Sequence, residues 1–393
     1  MIADVNRQTV DFSMFIGDTK SGSTRCDNAH YTKVLNWFNS FETAVLYTPG
    51  DNEWTDCMRV NNGAFDPLDR LALVRRTYFQ TNQTLGRRPL TVIRQSADPK
   101  YSTYVENAMF VRGPVVVGTI HVPGSNNNLQ YKLVQGVANS FYDADKEFVA
   151  GNAANIAWLK TIFQTAKTNK PLGIMIGVQT NMFDTFLDTS TGSSRSGFEE
   201  LVKVLRDETN AFAGEVVLVS GDSHYMRVHK PLTDQYPACT SSTGDCKPFD
   251  AALDARGTRV LNFTHVEVPG SSDVHWVLCH VRPNARNLFQ FEFMIVPNVA
   301  TGAAVTAVIA GPASLEVNSP QIGLDATGSN SPNSGDIAYK WENAPGYPQA
   351  AILRADSATP LVQMSLRSEY KFVLTVTDRT GLSSTVAVTV RYI

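Results

Sequence analysis

The chain has 393 residues and a mass of 43.1 kDa, which is more than one hydrophobic core usually organises. Hydrophobic residues make up 43% and charged residues 18% of the sequence, a composition typical of globular rather than disordered proteins. The formal net charge is -3, so the basic footprint of a nucleic-acid-binding protein is absent. No apolar run approaches the roughly 20 residues that span a bilayer. These features predict a globular protein with one large domain and at least one smaller one.

Short apolar runs alternate with helical patterns up to about residue 297. Five runs end in small or polar residues, and they cover residues 10–18, 44–54, 115–128, 172–184 and 215–224. Continuous apolar runs favour strands buried on both faces. Three stretches have helical apolar spacing: Val34, Trp37, Phe38 and Phe41; Ile156, Leu159, Phe163 and Ala166; and Phe198, Leu201, Val202 and Leu205. The alternation predicts an α/β domain over residues 1–297, with ligands beyond the strand ends.

The sequence pattern changes from about Ala303, where Gly, Ser, Asn and Pro separate short alternating strands such as 370–376 and 384–390. No helical pattern occurs there, so residues 303–393 are predicted to form a small all-β sandwich. The phrases LDATGSNSP and LTVTD, with Trp341 between them, resemble a PKD-type immunoglobulin-like domain. The resemblance implies a spacer or an appendage for carbohydrate or surface attachment, as in many secreted enzymes.

The cysteines and the N-terminus bear on the cellular compartment. Cys239 and Cys246 bracket the short loop CTSSTGDC, and Cys26 and Cys57 each follow a polar motif, so two disulfides are natural pairings that leave Cys279 as a buried thiol. The alternative is five free thiols in a cytosolic enzyme. The PKD-like segment favours an oxidising, secreted or periplasmic location. No signal peptide is visible in MIADVNRQTVDF, so we expect the N-terminus to be incomplete.

The strand-end loops contain ligands that suit metal ions. Asp18 lies in GDTKSGS, Asn52 lies in PGDNEWTDC, and Asp222 and His224 lie in GDSH. Carboxylate, amide and imidazole groups without thiolates suit Zn, Mn, Fe or Mg. Two such ions, roughly 3.5–4 Å apart, clamp a phosphoryl group and lower the pKa of an attacking water.

The order of these motifs resembles the calcineurin-like metallophosphoesterases, in the branch with GDxKSGS and PGDNEWTDC signatures. The resemblance implies a layered αββα sandwich and hydrolysis of a phosphate ester by a metal-bound hydroxide. It implies that one or two Fe, Zn or Mn ions are held by a bridging Asp18 and by Asn52, Asp222 and His224. Gln179 is the candidate where the family has a histidine ligand after a strand, and Glu53 stands where the family has its catalytic histidine.

Further residues are candidates on their position alone. His121 ends a strand before GSNNN, so it could assist proton transfer, although a structural core histidine is the alternative. Lys20 and Asn126 could contact the substrate, or they could be a solvated lysine and a turn residue. The opening strand of the family, with its first metal ligand, does not precede GDTK, which indicates either a fragment or a degenerate site.

Two functions therefore compete. The first is a metal-dependent phosphoesterase that acts on a small phosphate ester. The second is a catalytically degenerate secreted binding protein that keeps the phosphoesterase fold. A serine hydrolase and a nucleotide-binding P-loop or dinucleotide protein are disfavoured, because the sequence has no GxSxG elbow and no glycine-rich phosphate fingerprint.

Overall fold

The computed structural model of the chain describes residues 1–129, 144–169, 171–183, 197–224, 226–233, 258–270, 274–296, 304–331, 337–378 and 381–393. It divides into two compact units, Met1–Ile295 and Val296–Ile393. The predicted pairing of Cys239 with Cys246 lies outside the described residues.

The first unit combines helices with mixed sheets. Its described helices are α1 (Ile2–Val5), α2 (Asn28–Phe38), α3 (Pro67–Tyr78), the single turn α4 (Gly124–Asn127), α5 (Ala144–Asn169) and α6 (Glu199–Asn210). Its described strands are β1 (Phe12–Ile16), β2 (Ala44–Thr48), β3 (Ile93–Arg94), β4 (Ala108–Arg112), β5 (Val115–Thr119), β6 (Gly173–Gly177), β7 (Glu215–Ser220), β8 (Arg227–His229), β9 (Phe263–Glu267), β10 (Trp276–Val281) and β11 (Phe289–Met294). The five apolar runs contain β1, β2, β5, β6 and β7, so the predicted alternation of strands and helices is confirmed.

The strands form one large sheet and two small ones. The large sheet has the order β3-β4-β5-β6-β7-β9-β8. Its central strands β5, β6, β7 and β9 run parallel, and β3, β4 and β8 are antiparallel to their neighbours. β1 pairs in parallel with β2, and β10 pairs with β11 as an antiparallel hairpin. Because parallel strands end at a common edge, the loops after β6 and β7 share one edge, and so do the loops after β1 and β2.

Hydrophobic clusters join these sheets and helices in layers. Leu46 of β2 lies in a cluster with large-sheet residues such as Val117 and Met175, so the two sheets pack face to face. The next residue, Tyr47, belongs instead to a cluster with α2 and α3, because successive strand side chains point to opposite faces. The far side of the large sheet packs on α5 and α6. The first unit therefore packs helices against both of these sheets.

Most of the predicted apolar faces are buried. Val34, Phe38 and the predicted stripes of α5 and α6 pack in the clusters. The prediction was wrong for Trp37, which is 42% exposed. The buried stripe of α2 is Tyr31, Val34 and Phe38, and at about 100° per residue Trp37 lies well to one side of it. Burial on both faces is confirmed for β2, β5 and β6, whereas in β1 only Ile16 is buried.

One of the predicted disulfides is present. Cys26 and Cys57 are bonded, with a Cα–Cα distance of 5.7 Å. The bond joins the segment after β1 to the short turn at Thr55–Met58 after β2. Cys279 is free, and burial raises the pKa of its thiol to about 12.

The second unit is all-β within its described residues. Its strands are β12 (Ser314–Val317), β13 (Gln321–Gly323), β14 (Ile337–Asn343), β15 (Ala351–Leu353), β16 (Leu361–Gln363), β17 (Glu369–Asp378) and β18 (Ser383–Tyr392). They form a four-stranded sheet, β12-β18-β17-β14, and a three-stranded sheet, β13-β16-β15. Trp341 is buried in the single cluster that both sheets share. The Tyr370 hydroxyl donates to the Leu366 carbonyl and accepts from its amide, both at 2.9 Å, which is the corner contact typical of immunoglobulin-like sandwiches.

Candidate metal centre at the strand ends

Three strand-end loops bring the carboxylates of Asp18, Asp51 and Asp222 together. Each offers one oxygen, and these oxygens lie within 4.8 Å of one another. The residues follow β1, β2 and β7, and each comes directly after a glycine. The glycine lets the chain turn as it leaves the strand. We call these three residues the aspartate cluster.

Asp51 was missed by the sequence analysis, which predicted its neighbour Asn52 as the ligand. In the structure the Asp51 carboxylate belongs to the aspartate cluster. The Asn52 amide oxygen lies instead beside the loop after β1, where a Cβ on Gly22 would be 3.1 Å from it. Neighbouring residues of a tight turn direct their side chains differently, and the motif alone did not show which one faced the other aspartates. The repeated Gly-Asp dipeptide was the signal that could have identified Asp51.

Gln179, the candidate ligand in place of a histidine, lies beside the aspartate cluster and contacts the carboxylates through its amide nitrogen. Nε2 donates to Oδ2 of Asp18 at 3.0 Å and to Oδ1 of Asp51 at 3.3 Å. Its oxygen accepts the Gly124 N–H at 2.6 Å. In this orientation Gln179 holds two carboxylates and the α4 turn in place.

Burial and mutual repulsion disfavour the ionised carboxylates of the aspartate cluster. Burial, and then the charge of Asp51, raise the pKa of Asp222 to about 7. Burial and the neighbouring carboxylates, Asp51 first, also raise the pKa of Asp18 well above its usual value. Oδ1 of Asp18 is buried without a hydrogen-bond partner. Buried charge without a counter-ion is costly, so this arrangement favours a bound cation.

Backbone strain concentrates at the same place. Nine described non-glycine residues have positive φ, and seven of them lie in the site loops: Asp18, Ser125, Asn126, Asn127, Asn128, Asp222 and His224. Such residues persist where the surrounding structure enforces them, and they cluster at functional sites. The carboxylates also lie close to two glycines. An added Cβ at Gly50 would be 2.5 Å from Oδ1 of Asp18, and one at Gly124 would be 2.6 Å from Oδ2 of Asp51.

Glu53, predicted as a catalytic residue, lies fully buried beneath the first two loops. Its carboxylate accepts the backbone N–H groups of Asp18 at 3.2 Å, Thr19 at 2.5 Å and Gly50 at 3.0 Å. These hydrogen bonds fasten the loop after β1 to the loop after β2. Glu53 therefore positions the backbone that carries Asp18 and Asp51.

His121, the other predicted catalytic residue, has both ring nitrogens hydrogen bonded. Nδ1 contacts Glu106 at 3.0 Å, and Nε2 is 3.1 Å from the indole nitrogen of Trp54. Because an indole N–H can only donate, Nε2 accepts and Nδ1 carries the proton. Burial raises the pKa of Glu106, but the charge of Arg75 and the contact with His121 outweigh it and hold that pKa at about 2.

The remaining predicted residues surround the aspartate cluster with different partners. Lys20 is buried, its ammonium donates to the Ser21 carbonyl at 3.0 Å, and burial lowers its pKa. Asn126 is also buried, and its Oδ1 accepts the Gly197 N–H at 2.9 Å. His224 is exposed, against Gly270, and does not join the aspartate cluster.

A second polar cluster supports the GDSH loop and was missed because its members are distant in sequence. His229, His265 and Glu267 also offer ligand-type atoms within 4.8 Å of one another. His265 contacts His229 at 2.8 Å and Ser220 at 2.7 Å. Glu267 accepts from Ser223 at 2.6 Å. We call these three residues, with Arg227, the histidine cluster.

Comparison with known proteins identifies only the second unit. Residues 310–391 match a family model that describes a PKD domain. This match and the all-β fold bear out the PKD-like C-terminal domain. No curated protein matches the chain. None of the described helices has both the length and the hydrophobicity that crossing a membrane requires.

Three similar solved structures have low TM-scores. The PKD domain from KIAA 1837 protein is 27% identical over 23% of this chain and 85% of that chain, with a TM-score of 0.19. A nucleoside hydrolase-related hypothetical protein from Saccharophagus degradans, associated with carbohydrate metabolism, is 12% identical over 98% and 100% of the chains, with a TM-score of 0.22. Chitinase ChiA74 from Bacillus thuringiensis is 10% identical over 70% and 65%, with a TM-score of 0.17. These scores carry no argument about the first unit.

Proposed function

We propose that the first unit is a calcineurin-like metallophosphoesterase domain that hydrolyses a small phosphate ester. The observation that carries the proposal is the convergence of three Gly-Asp loops on one cluster of carboxylates. The packing of helices against two facing sheets supports it, because the resemblance of the GDTK and GDSH motifs implies a layered sandwich of that kind. Carboxylates with raised pKa at a strand-end edge are typical of functional sites.

The residues fit a metal ion. Asp18, Asp51 and Asp222 would hold it, and the unpartnered Oδ1 of Asp18 is a buried ligand atom without any other role in the described structure. Fe, Zn and Mn are the candidates from the sequence, and an all-carboxylate set favours the harder Mn. When bound, one or two such ions would neutralise charge on the phosphoryl oxygens and lower the pKa of an attacking water.

Four other residues of the chain have separate roles at this site. Gln179 fixes the orientation of the Asp18 and Asp51 carboxylates by donating to both. Glu53 keeps the two loops together through their backbone amides. Lys20 places a positive charge in the loop after β1, where a phosphate group would be attracted. His224, exposed two positions after Asp222, would contact a ligand.

The location proposed for the protein is outside the cytoplasm. PKD-like domains resemble modules of secreted proteins, and a disulfide such as Cys26–Cys57 persists in oxidising compartments. The PKD-like domain would then provide a carbohydrate or surface contact for the phosphoesterase.

The decisive experiment compares two adjacent substitutions. Asp51→Asn removes a carboxylate from the aspartate cluster, and we expect it to reduce bound metal and to lower the hydrolysis of p-nitrophenyl phosphate by about a thousandfold. Asn52→Ala is the matched control, and it should retain metal. Metal is measured by elemental analysis of protein purified without chelators, and turnover by release of p-nitrophenol.

The second candidate function is a binding protein that has lost catalysis. The observation that favours it is the ligand set, in which Gln179 and Asp222 stand where the related enzymes have histidines. Folded wild-type protein without metal and without turnover would establish this alternative. Metal loss in Asn52→Ala but not in Asp51→Asn would show that Asn52, as expected from sequence, is the ligand and that Asp51 is not.

A further inference from the structure

A small, partly open cavity, with room for a group about the size of a water molecule or an ammonium, lies beside the aspartate cluster. Its lining includes the aromatic side chains Trp54, Tyr104 and Phe148 and the polar side chains Glu147 and Asn152. Aromatic walls with a few convergent polar groups are typical of small-molecule sites. None of the roles described above uses this cavity.

The cavity shares its wall with the candidate metal centre. The backbone N–H of Trp54 donates to the backbone carbonyl of Asp51 at 3.1 Å. The Trp54 indole that lines the cavity therefore belongs to the turn that carries Asp51. Asn127 also lines the cavity, and it belongs to the α4 turn, whose Ser125 hydroxyl donates to Oδ2 of Asp51 at 3.0 Å. A ligand held by the aspartate cluster would therefore have this cavity as its neighbour.

Two hydrogen-bond acceptors of the cavity lack a full set of partners. Asn152 is only 6% exposed, its Nδ2 donates to Glu200 at 3.0 Å, and its Oδ1 is buried without a partner. Glu147 accepts from Nδ2 of Asn128 at 2.6 Å. Burial raises its pKa, although the Asn128 contact and the charges of His121 and Arg75 oppose the rise, and none of the described cationic side chains forms a salt bridge with it. A buried acceptor without a partner and a carboxylate without a counter-ion both favour a ligand that donates hydrogen bonds.

The amide donors around the cavity are already occupied. Nδ2 of Asn155 donates to the His121 carbonyl at 2.7 Å, and Nδ2 of Asn127 donates to the Gly197 carbonyl at 3.0 Å. The guanidinium of Arg75, which lies near Tyr104, is paired with Glu106 at 2.6 Å. The wall thus offers hydrogen-bond acceptors, which include the carboxyl group of Glu147.

We propose that this cavity binds an ammonium group, so that the ligand of the protein is an amine-bearing phosphate ester. An ammonium only donates hydrogen bonds, which matches Glu147 and Asn152 better than a hydroxyl that also needs donors. Charge-assisted hydrogen bonds to a carboxylate and aromatic side chains nearby both stabilise a cation. The inference rests on the proposed function for the phosphate half of this ligand.

The test uses the full chain with added Mn²⁺ and two matched series of esters. Aminoalkyl phosphates of increasing chain length are compared with the hydroxyalkyl phosphates of the same lengths, because the ammonium and hydroxyl groups are similar in size. Affinity is measured by calorimetry and kcat/KM by phosphate release. At the best chain length we expect the amine to be favoured by about tenfold or more in affinity. Equal affinity at every length, or a preference for the hydroxyl series, would overturn the proposal.

Substitutions locate the effect in the cavity. Glu147→Gln keeps the shape and removes the charge, so the ratio of amine to hydroxyl affinity should fall to about one. Asn152→Leu removes the unpartnered acceptor and should reduce the same ratio. Glu42→Gln, at a half-exposed carboxylate that pairs with Arg87, is the control and should keep the wild-type ratio. Thermal unfolding of each variant confirms that it is folded, and an unchanged ratio in folded Glu147→Gln would contradict the assignment.

The two proposals fail in different ways. If p-nitrophenyl phosphate is hydrolysed but the amine series has no advantage, the phosphoesterase stands and the ammonium site is wrong. If the amine series binds more tightly but no ester releases phosphate, the ammonium site stands and the phosphoesterase is wrong.

Discussion

The aspartate cluster and the histidine cluster both bring three ligand-type side chains within 4.8 Å, yet they differ in how their charge is balanced. In the histidine cluster Arg227 forms an ion pair with Glu267 at 2.5 Å. Burial, and then the charges of His229 and Arg227, hold the pKa of His265 well below its usual value. Hydrogen bonds to Glu267 outweigh its burial and lower its pKa.

No described cationic side chain forms an ion pair with the aspartate cluster; Arg59, whose charge lowers the pKa of Asp51, pairs with Asp56 at 2.7 Å instead. The contacts of the aspartate cluster are hydrogen bonds from neutral groups, those of Gln179, Ser125 and Thr180. The difference shows that proximity of ligand atoms is insufficient to indicate a metal site. A built-in cation makes the histidine cluster a structural network, whereas the aspartate cluster is the one for which we propose a bound cation.

The comparison is tested most strongly by removing one carboxylate from each cluster. We expect Asp222→Asn to reduce bound metal and to lower turnover by about a thousandfold. Above about pH 7, where Asp222 is ionised, the same substitution should raise the melting temperature of the metal-free protein, because it removes a charge that burial and Asp51 disfavour. Elemental analysis and calorimetric unfolding measure the two effects.

Glu267→Gln is the matched substitution and should act in the opposite direction. It removes the carboxylate that pairs with Arg227, at a cost of about 2 kcal/mol in the free energy of unfolding. This cost is below that of a fully buried pair because the Arg227 side chain is 32% exposed. Bound metal should stay at the wild-type level. Loss of metal in folded Glu267→Gln would mean that the histidine cluster, too, holds an ion.

A smaller effect is expected from adding a methyl group to a glycine of the Gly-Asp loops. A Cβ at Gly50 would lie 2.5 Å from Oδ1 of Asp18, whereas at Gly221 its nearest contacts are at 3.6 Å. Gly50→Ala should therefore displace the Asp18 carboxylate and weaken Mn²⁺ binding by about tenfold to a hundredfold. Gly221→Ala should change the affinity by less than about twofold. Equal affinities in a Mn²⁺ titration of both variants would show that the carboxylate accommodates the methyl group.

The smallest expected effect is a pH dependence of opposite sign in the two clusters. The pKa of Asp222 is raised from 3.8 to about 7, so the folded metal-free protein holds a proton that the unfolded chain releases. Its contribution to stability is therefore lost as pH rises between these values. Glu267 has a pKa below its usual 4.5, so its contribution is present above that pH and is lost as pH falls.

Melting temperatures of the metal-free wild type and of Asp222→Asn, measured from about pH 5 to about pH 8, separate these contributions. The wild type should lose stability relative to Asp222→Asn as pH rises. Added Mn²⁺ should remove this difference in slope. Parallel curves for the two metal-free proteins would mean that Asp222 is not the group with the raised pKa.

Much of this architecture could be predicted from local sequence pattern. Continuous apolar runs identified the strands, and LTVTD with Trp341 identified the PKD-like domain. The strand ends were correctly expected to collect the polar side chains. Trp37 was assigned to a buried face because apolar character and spacing alone do not fix the centre of a helix stripe.

What could not be predicted depends on side-chain direction and on long-range contacts. The motif PGDNE contains Asp51, Asn52 and Glu53 in a row, and only the turn decides that the first joins the aspartate cluster while the third accepts backbone amides. The histidine cluster joins residues of two antiparallel strands, His229 and His265. No spacing rule connects residues that far apart. The function of His121 and the ligand role of His224 remain predictions.

The hydrogen bond between Asp18 and Gln179 joins residues separated by 161 positions in the chain. Contacts of such separation form late in folding, because the intervening chain must be ordered first. During synthesis Asp18 and Asp51 emerge long before Asp222, so the growing chain has an incomplete set of ligands until the large sheet is almost finished. A metal ion that needs all three would then stabilise only the completed fold, and retention of metal would report that the whole first unit has folded.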